Sequence, residues 1–481
     1  MFSLNVLFRA FDPINENYSF DLVNNHADHA TFTKDDTNYR TTLAGEHHTY
    51  ETRKSFRNLW QYGIRQVQAR ARCASAGVEE FTLVQSQVIF RHGARTPVRV
   101  VPNVEEAIYD KRIFGAVLSH ADYDYEVLDR DGGMADPVED TPFHKQYAKE
   151  GQLRGGMICG QLTTVGMHQC YELGLSLRRR YMHKYKLVKE EYSENEIYCQ
   201  STYIKRTLES LQGVMAGLYG VTELSKHKPK FYINYSTEEM LYPNMFNCSC
   251  LKEIGQHAHT AMSEGSNNAF LMKEVKAAII RQDLVCRVTH GLSLPSELEP
   301  FYEELQVQAP LDMVQELTGK PEDRAAGLKL GLGRFHHMLI TNMDVATRGN
   351  HKYKLSLYSS HDSMLIPLLV AMGCFDRKWP GYASNIAYEL WKHNKTGKFF
   401  AKVLYNGEEQ RLPGKDVLIP YQEFKDLLAP FTVSPSEYKY LCEHTRASIE
   451  APAVEYSLRF DDSKLEGGAT NEVDSPLPPG M

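Results

Sequence analysis

The stretch FTLVQSQVIFRHGARTP, residues 81–97, runs from ten residues rich in apolar and β-branched side chains straight into Arg91, His92 and Arg95. The first part reads as a β-strand and the second as the loop at its carboxyl end. Outward from it, helices and strands alternate. QLTTVGMHQCYELGLSLRRRYMHKY (161–185) predicts a helix with Met167, Tyr171, Gly174 and Leu177 on one stripe. NEIYCQST (195–202) predicts a second strand, and KRTLESLQGVMAGLYG (205–220) a helix in which Leu208, Leu211, Met215 and Leu218 recur every three or four residues. A further strand, KYKLSLYSS (352–360), and a helix in MLIPLLVAMG (364–373) return late in the chain. Such alternation specifies an α/β fold with a parallel, doubly wound sheet flanked by helices.

Residues 241–344 interrupt that pattern. AFLMKEVKAAIIRQDLV, SELEPFYEELQVQ, LDMVQELTG and LKLGLGRFHHMLITNM read as separate helices, so the segment is expected to be a mainly helical cap. The α/β core is then 81–240 and 345–445, with an N-terminal extension over 1–80 and a loose tail over 446–481.

Composition limits the function. Hydrophobic residues at 42% and charged residues at 24% place the chain among folded proteins, and a net charge of -7 argues against nucleic acid as a partner. No apolar run reaches the roughly 18 residues of a transmembrane helix, which leaves only peripheral membrane contact. Nine cysteines, an odd count without a tight framework, favour a reducing compartment, with Cys248 and Cys250 expected as free thiols. N-x-[ST] sequons at Asn17, Asn234, Asn247 and Asn394 point the other way, to a secreted or lysosomal protein. In the extension, His26, His29, His47 and His48 lack the spacing of a metal site. The segment 53–76, with Arg53, Lys54, Arg57, Arg65, Arg70 and Arg72 and no acid, reads either as an amphipathic targeting helix or as a basic surface helix.

The chemistry lies in three strand-to-helix loops, where open α/β sheets gather their ligands. The first carries Arg91, His92 and Arg95, the second Arg206, and the third His361 and Asp362. Three guanidinium groups, two imidazoles and a carboxylate suit a phosphate monoester. Arginines hold the equatorial oxygens, a neutral histidine nitrogen can attack phosphorus, and a carboxylic acid can protonate the leaving oxygen. No metal or other cofactor is needed for that sequence of steps. Each loop also has a plainer explanation: the Arg91–His92 pair as a surface feature, Arg206 as a solvated helix residue, and Asp362 as a helix cap.

RHGARTP (91–97), GQLTTVG (160–166), STYIKRT (201–207) and SSHD (359–362) resemble, in order and spacing, the motifs of the histidine acid phosphatases within the histidine phosphatase superfamily. The resemblance implies a central, mostly parallel sheet flanked by helices, with the cap forming the substrate pocket. It also implies His92 as phosphorylated nucleophile, Asp362 as proton donor, and Arg91, Arg95, Arg206 and His361 as phosphate ligands. One position departs: Gln200 stands where many members have an arginine, which implies a structural consequence with the core chemistry intact. GGMICGQLTTVGM, EEMLYPN, HDSMLIPLLVAMGCFDRKWP and YELW are similar to the members of the family that act on lysophosphatidic acid. That likeness implies a lysophospholipid substrate, cleaved to monoacylglycerol and phosphate, and a mitochondrial location; the chain is expected to be a monomer. An inositol polyphosphate, a phosphoprotein, or a module that binds phosphate without cleaving it remain open alternatives.

Overall fold

The computed structural model describes residues 80–135, 151–265 and 277–444. The targeting segment at 53–76, the histidines of the extension and the tail over 446–481 lie outside them. Among the described residues nine strands form one mixed sheet. They are β1 (Phe81–Arg91), β2 (Glu126–Leu128), β3 (Ile197–Ser201), β4 (Lys230–Ile233), β5 (Leu355–Ser360), β6 (Asn385–His393), β7 (Phe399–Tyr405), β8 (Glu408–Glu409) and β9 (Ile419–Pro420). Their order is β2-β4-β3-β5-β1-β6-β7-β8, with β9 beside β7. β1 to β5 run parallel, whereas β6 is antiparallel to β1 and begins an antiparallel edge.

The sheet is mostly parallel, as the family resemblance implies, and alternation alone leaves out its antiparallel edge. β6 escapes the pattern because its first seven residues are all buried, so no in-and-out alternation marks it.

Helices of eight residues or more are α1 (Thr164–Leu177), α2 (Lys205–Tyr219), α3 (Ser249–Gly265), α4 (Ala277–Thr289), α5 (Tyr302–Thr318), α6 (Arg324–Thr347), α7 (Asp362–Ala371), α8 (Tyr421–Leu428) and α9 (Pro435–Glu443). Alternate residues of β1 feed opposite faces of the sheet. Val88 and Phe90 join Met167, Leu173, Leu208, Leu211 and Met215 of α1 and α2 on one face. Ile89 joins α6, α7 and α8 on the other. Two glycines let α1 and α2 touch backbone to backbone: a Cβ at Gly174 would lie 2.1 Å from the Val214 carbonyl oxygen, and one at Gly217 2.1 Å from that of Tyr171.

The cap differs from its expected form in two respects. α6, counted with it, packs on the sheet through Leu328, Leu332, Phe335, Leu339 and Met343, a stripe at helical spacing. α5 is one helix through Pro310 where two were expected, because Ala309, Pro310 and Leu311 are buried together and packing outweighs the one missing N–H. What covers the sheet's edge combines α4, the start of α5 and the excursion after β1, around Val101, Ile280, Leu284, Leu298, Leu305 and Ala309.

Cys248 is not a free thiol: it forms a disulfide with Cys442 of α9, while Cys250 is a buried cysteine outside that bond. The partner stands 194 residues away, so no local spacing could reveal it. No helix among the described residues is long and apolar enough to cross a membrane.

Candidate active site

The parallel strands end level. Phe90 of β1 and Ser201 of β3 both pair with Ser359 of β5, and Arg91 pairs with Ser360. The loops that follow these three strands therefore open at one place. The first loop is locked in position by glycine. A Cβ at Gly93 would lie 2.1 Å from the Gly166 carbonyl oxygen, and one at Gly166 2.0 Å from that of Ala94. Only two residues without side chains allow the RHG turn to rest on the first turn of α1. Thr163, the cap of α1, completes the contact by donating from Oγ1 to the Ala94 carbonyl at 3.1 Å.

His92 is 1% exposed, and its Nδ1 lies 2.8 Å from the Gly93 carbonyl. A carbonyl only accepts, so Nδ1 carries the proton and the Nε2 lone pair of the neutral ring is left available. Burial, then the cations Arg206, Arg91 and Arg95, hold its pKa well below the ordinary value. His361 lies 5.5 Å away between ring centroids. Its tautomer follows from a chain of hydroxyls. Thr207 Oγ1 donates to the Ile204 carbonyl at 2.6 Å, so it accepts from Thr202 Oγ1 at 2.7 Å, and Thr202 in turn accepts from His361 Nε2–H at 3.1 Å. The free Nδ1 lone pair faces Arg206 at 3.5 Å.

Arg91 donates to the Pro380 carbonyl at 2.7 Å, pairs with Asp362 Oδ2 at 2.7 Å and lies 4.2 Å over the Tyr382 ring. Arg95 donates to the Thr96 carbonyl and to Gln282 Oε1. Arg206 is 7% exposed, not the solvated helix residue of the plainer explanation. Asp362 is not the helix cap either: it is the first residue of α7, after His361. Its Oδ2 also accepts from Trp379 Nε1 at 2.8 Å. Burial raises the Asp362 pKa, but Arg91, Arg95 and the Trp379 hydrogen bond outweigh it and leave it lowered to about 2. All six candidate residues thus meet at one sheet edge. Gln200 lies within β3, 2% exposed, with its Oε1 3.4 Å from the Tyr198 hydroxyl.

Residues 82–285 and 305–406 match the histidine phosphatase superfamily (branch 2). The chain belongs to that family. It is 31% identical over 377 residues to lysophosphatidic acid phosphatase type 6 of Mus musculus, covering 75% of this chain and 88% of that protein. Against the Homo sapiens protein of the same name it is 31% identical over 380 residues, covering 75% and 86%. A Bifidobacterium longum multiple inositol polyphosphate phosphatase solved with phosphate aligns over 77% of this chain and 97% of that one, at 12% identity and a TM-score of 0.46.

This histidine phosphatase is a phosphomonoester hydrolase, and four residues that sequence motifs missed stand against the candidate site. Tyr382 and Trp379 come from the loop after α7 and flank the Arg91–Asp362 pair. Gln282 and Arg281 come from α4: the first accepts from Arg95 at 3.1 Å, and the second stacks on Trp379 with its guanidinium carbon 4.7 Å from the ring centroid. The aromatic loop KWPGY offered a weak signal. Arg281, inside a helix that buries charged and apolar residues alike far along the chain, offered none.

Proposed function

We propose that this phosphatase hydrolyses lysophosphatidic acid to monoacylglycerol and inorganic phosphate through a phosphohistidine on His92. The observation that carries the chemistry is the neutral His92 ring, pinned at Nδ1 by the Gly93 carbonyl and surrounded by Arg91, Arg95 and Arg206. His92 Nε2 attacks phosphorus, forming the P–N bond as the ester P–O bond breaks. The electron pair leaves on the alcohol oxygen, which takes its proton from Asp362. Water then attacks the phosphohistidine, giving up a proton to Asp362, and the P–N pair returns to His92. The arginines and His361 bind the phosphoryl oxygens throughout, stabilising charge as it develops.

The lipid assignment is supported by the two relatives named for that substrate and by the apolar cluster of the cap, against which Trp379 and Tyr302 pack. A second substrate class, inositol polyphosphate, is favoured by one observation: Arg281 adds a fourth guanidinium beside the site. Phosphate release from lysophosphatidic acid, phytate and a phosphotyrosine peptide, measured side by side, decides between them. Lysophosphatidic acid is expected to be cleaved fastest, and His92→Ala to abolish release from all three. Equal or faster cleavage of phytate would sink the lipid assignment.

A further inference from the structure

Arg281 is costly where it stands. It is 8% exposed, and its buried Nε–H has no hydrogen-bond acceptor. Burial first, and then the nearby Arg91, lower its pKa to about 10, while Asp362 pulls it back up. A desolvated guanidinium beside another cation is destabilising unless an acceptor arrives. Its place is fixed from both sides. Trp379 holds one face of the guanidinium, and Trp379 is itself tied to Asp362 Oδ2. The neighbouring Gln282 accepts from Arg95 at 3.1 Å and from the Val98 N–H at 3.4 Å. One turn further along α4, Arg287 pairs with Asp283 at 2.8 Å and donates to the Glu105 carbonyl, which fastens the helix to the excursion after β1.

Arg281 keeps different company from Arg206 and Arg95. The cations acting most strongly on the nucleophile His92 are Arg206, Arg91 and Arg95, whereas Arg281 acts with Arg91 and Asp362. Asp362 faces the oxygen that leaves. Arg281 is linked to Asp362 through one ring: Trp379 donates to Asp362 Oδ2 at 2.8 Å and carries the Arg281 guanidinium 4.7 Å from its centroid, at the border of the cap's apolar cluster.

We propose that Arg281 is a specificity-determining substrate ligand, donating to an oxygen that the leaving alcohol carries next to the scissile ester, as the hydroxyl or acyl carbonyl of a glycerol phosphate does. It selects phosphate esters of polyols and their acyl derivatives over plain alkyl phosphates. The inference rests on Asp362 being the group at the leaving oxygen, and it is independent of the lipid tail.

The test compares kcat/KM on glycerol 3-phosphate and on n-propyl phosphate, which share three carbons and differ in hydroxyls. The full chain is used as wild type, Arg281→Met and Arg281→Gln. Wild type is expected to prefer glycerol 3-phosphate. Arg281→Met should lower kcat/KM on it about tenfold to a hundredfold, the worth of a hydrogen bond to a charged group, and change n-propyl phosphate less than about threefold. Arg281→Gln, which keeps an N–H donor, should lose less. Far-UV circular dichroism and a cooperative Tm show that a variant is folded. If Arg281→Met does not fold, Arg281→Gln reads the same ratio. A wild type indifferent to the two substrates, or folded variants with an unchanged ratio or equal losses on both substrates, overturns the proposal. Failure to cleave lysophosphatidic acid with the expected ratio intact would overturn the lipid assignment and leave Arg281 in place.

Discussion

Asp362 is pulled in two directions. Burial favours its neutral acid, yet Arg91 at 2.7 Å, Arg95 and the Trp379 N–H hold it as a carboxylate down to about 2. In the proposed mechanism proton donation therefore waits for a phosphate dianion that engages Arg91 and repels the carboxylate's charge. Asp362→Asn is expected to slow cleavage of alkyl phosphates about 100- to 10,000-fold, the range for a general acid, and to leave p-nitrophenyl phosphate, whose leaving group needs no proton, far less affected. Equal losses on the two would remove Asp362 from the leaving oxygen. His92 has the opposite pH logic. Burial and three guanidinium groups lower its pKa, so the imidazole stays neutral as pH falls through the ordinary value of about 6.5. Activity on p-nitrophenyl phosphate should show no acid limb there, and an inflection near that pH would mean an exposed, normally titrating nucleophile. The same shift acts on stability. Below about 6.5 the unfolded chain binds a proton that the folded ring refuses, so this contribution to stability declines as pH falls.

Between elements, contact is decided by glycines. Gly93 and Gly166 join the RHGARTP loop to α1, and Gly174 and Gly217 join α1 to α2, the helix that carries Arg206. Gly174→Ala would drive a methyl against the Val214 carbonyl and push the helices apart. A loss of about 1–3 kcal/mol, the usual cost of overpacking, should appear as a lower Tm. An unchanged Tm would show that the crossing has slack. The motif GQLTTVG acts through packing: Gly166 and the capping Thr163 seat the loop that carries His92.

Across the molecule, the Cys248–Cys442 disulfide ties the start of α3 to α9. Disulfides persist in oxidising compartments, which runs against the reducing environment suggested by nine cysteines. Removing a native disulfide costs about 2–5 kcal/mol in small domains. Cys442→Ser, or a reductant added to the wild type, should therefore lower Tm by the same amount, with nothing further lost when the two are combined. A Tm indifferent to reductant would mean that the thiols are free in solution.

Much of this was legible in the residues. The strand 81–91, the helix over 205–219 and the six candidate site residues follow from local rules: side-chain periodicity marks the elements, and strand-to-helix loops carry the cargo. The antiparallel strands β6 and β7, the packing of α6 on the sheet and the pairing of Cys248 with Cys442 were not legible. Nor was Arg281 beside Asp362. The division has a physical cause. Backbone preference and motif spacing act over a few residues and are written consecutively, whereas burial on both faces, a partner 194 residues away and the company a side chain keeps exist only once the chain has folded.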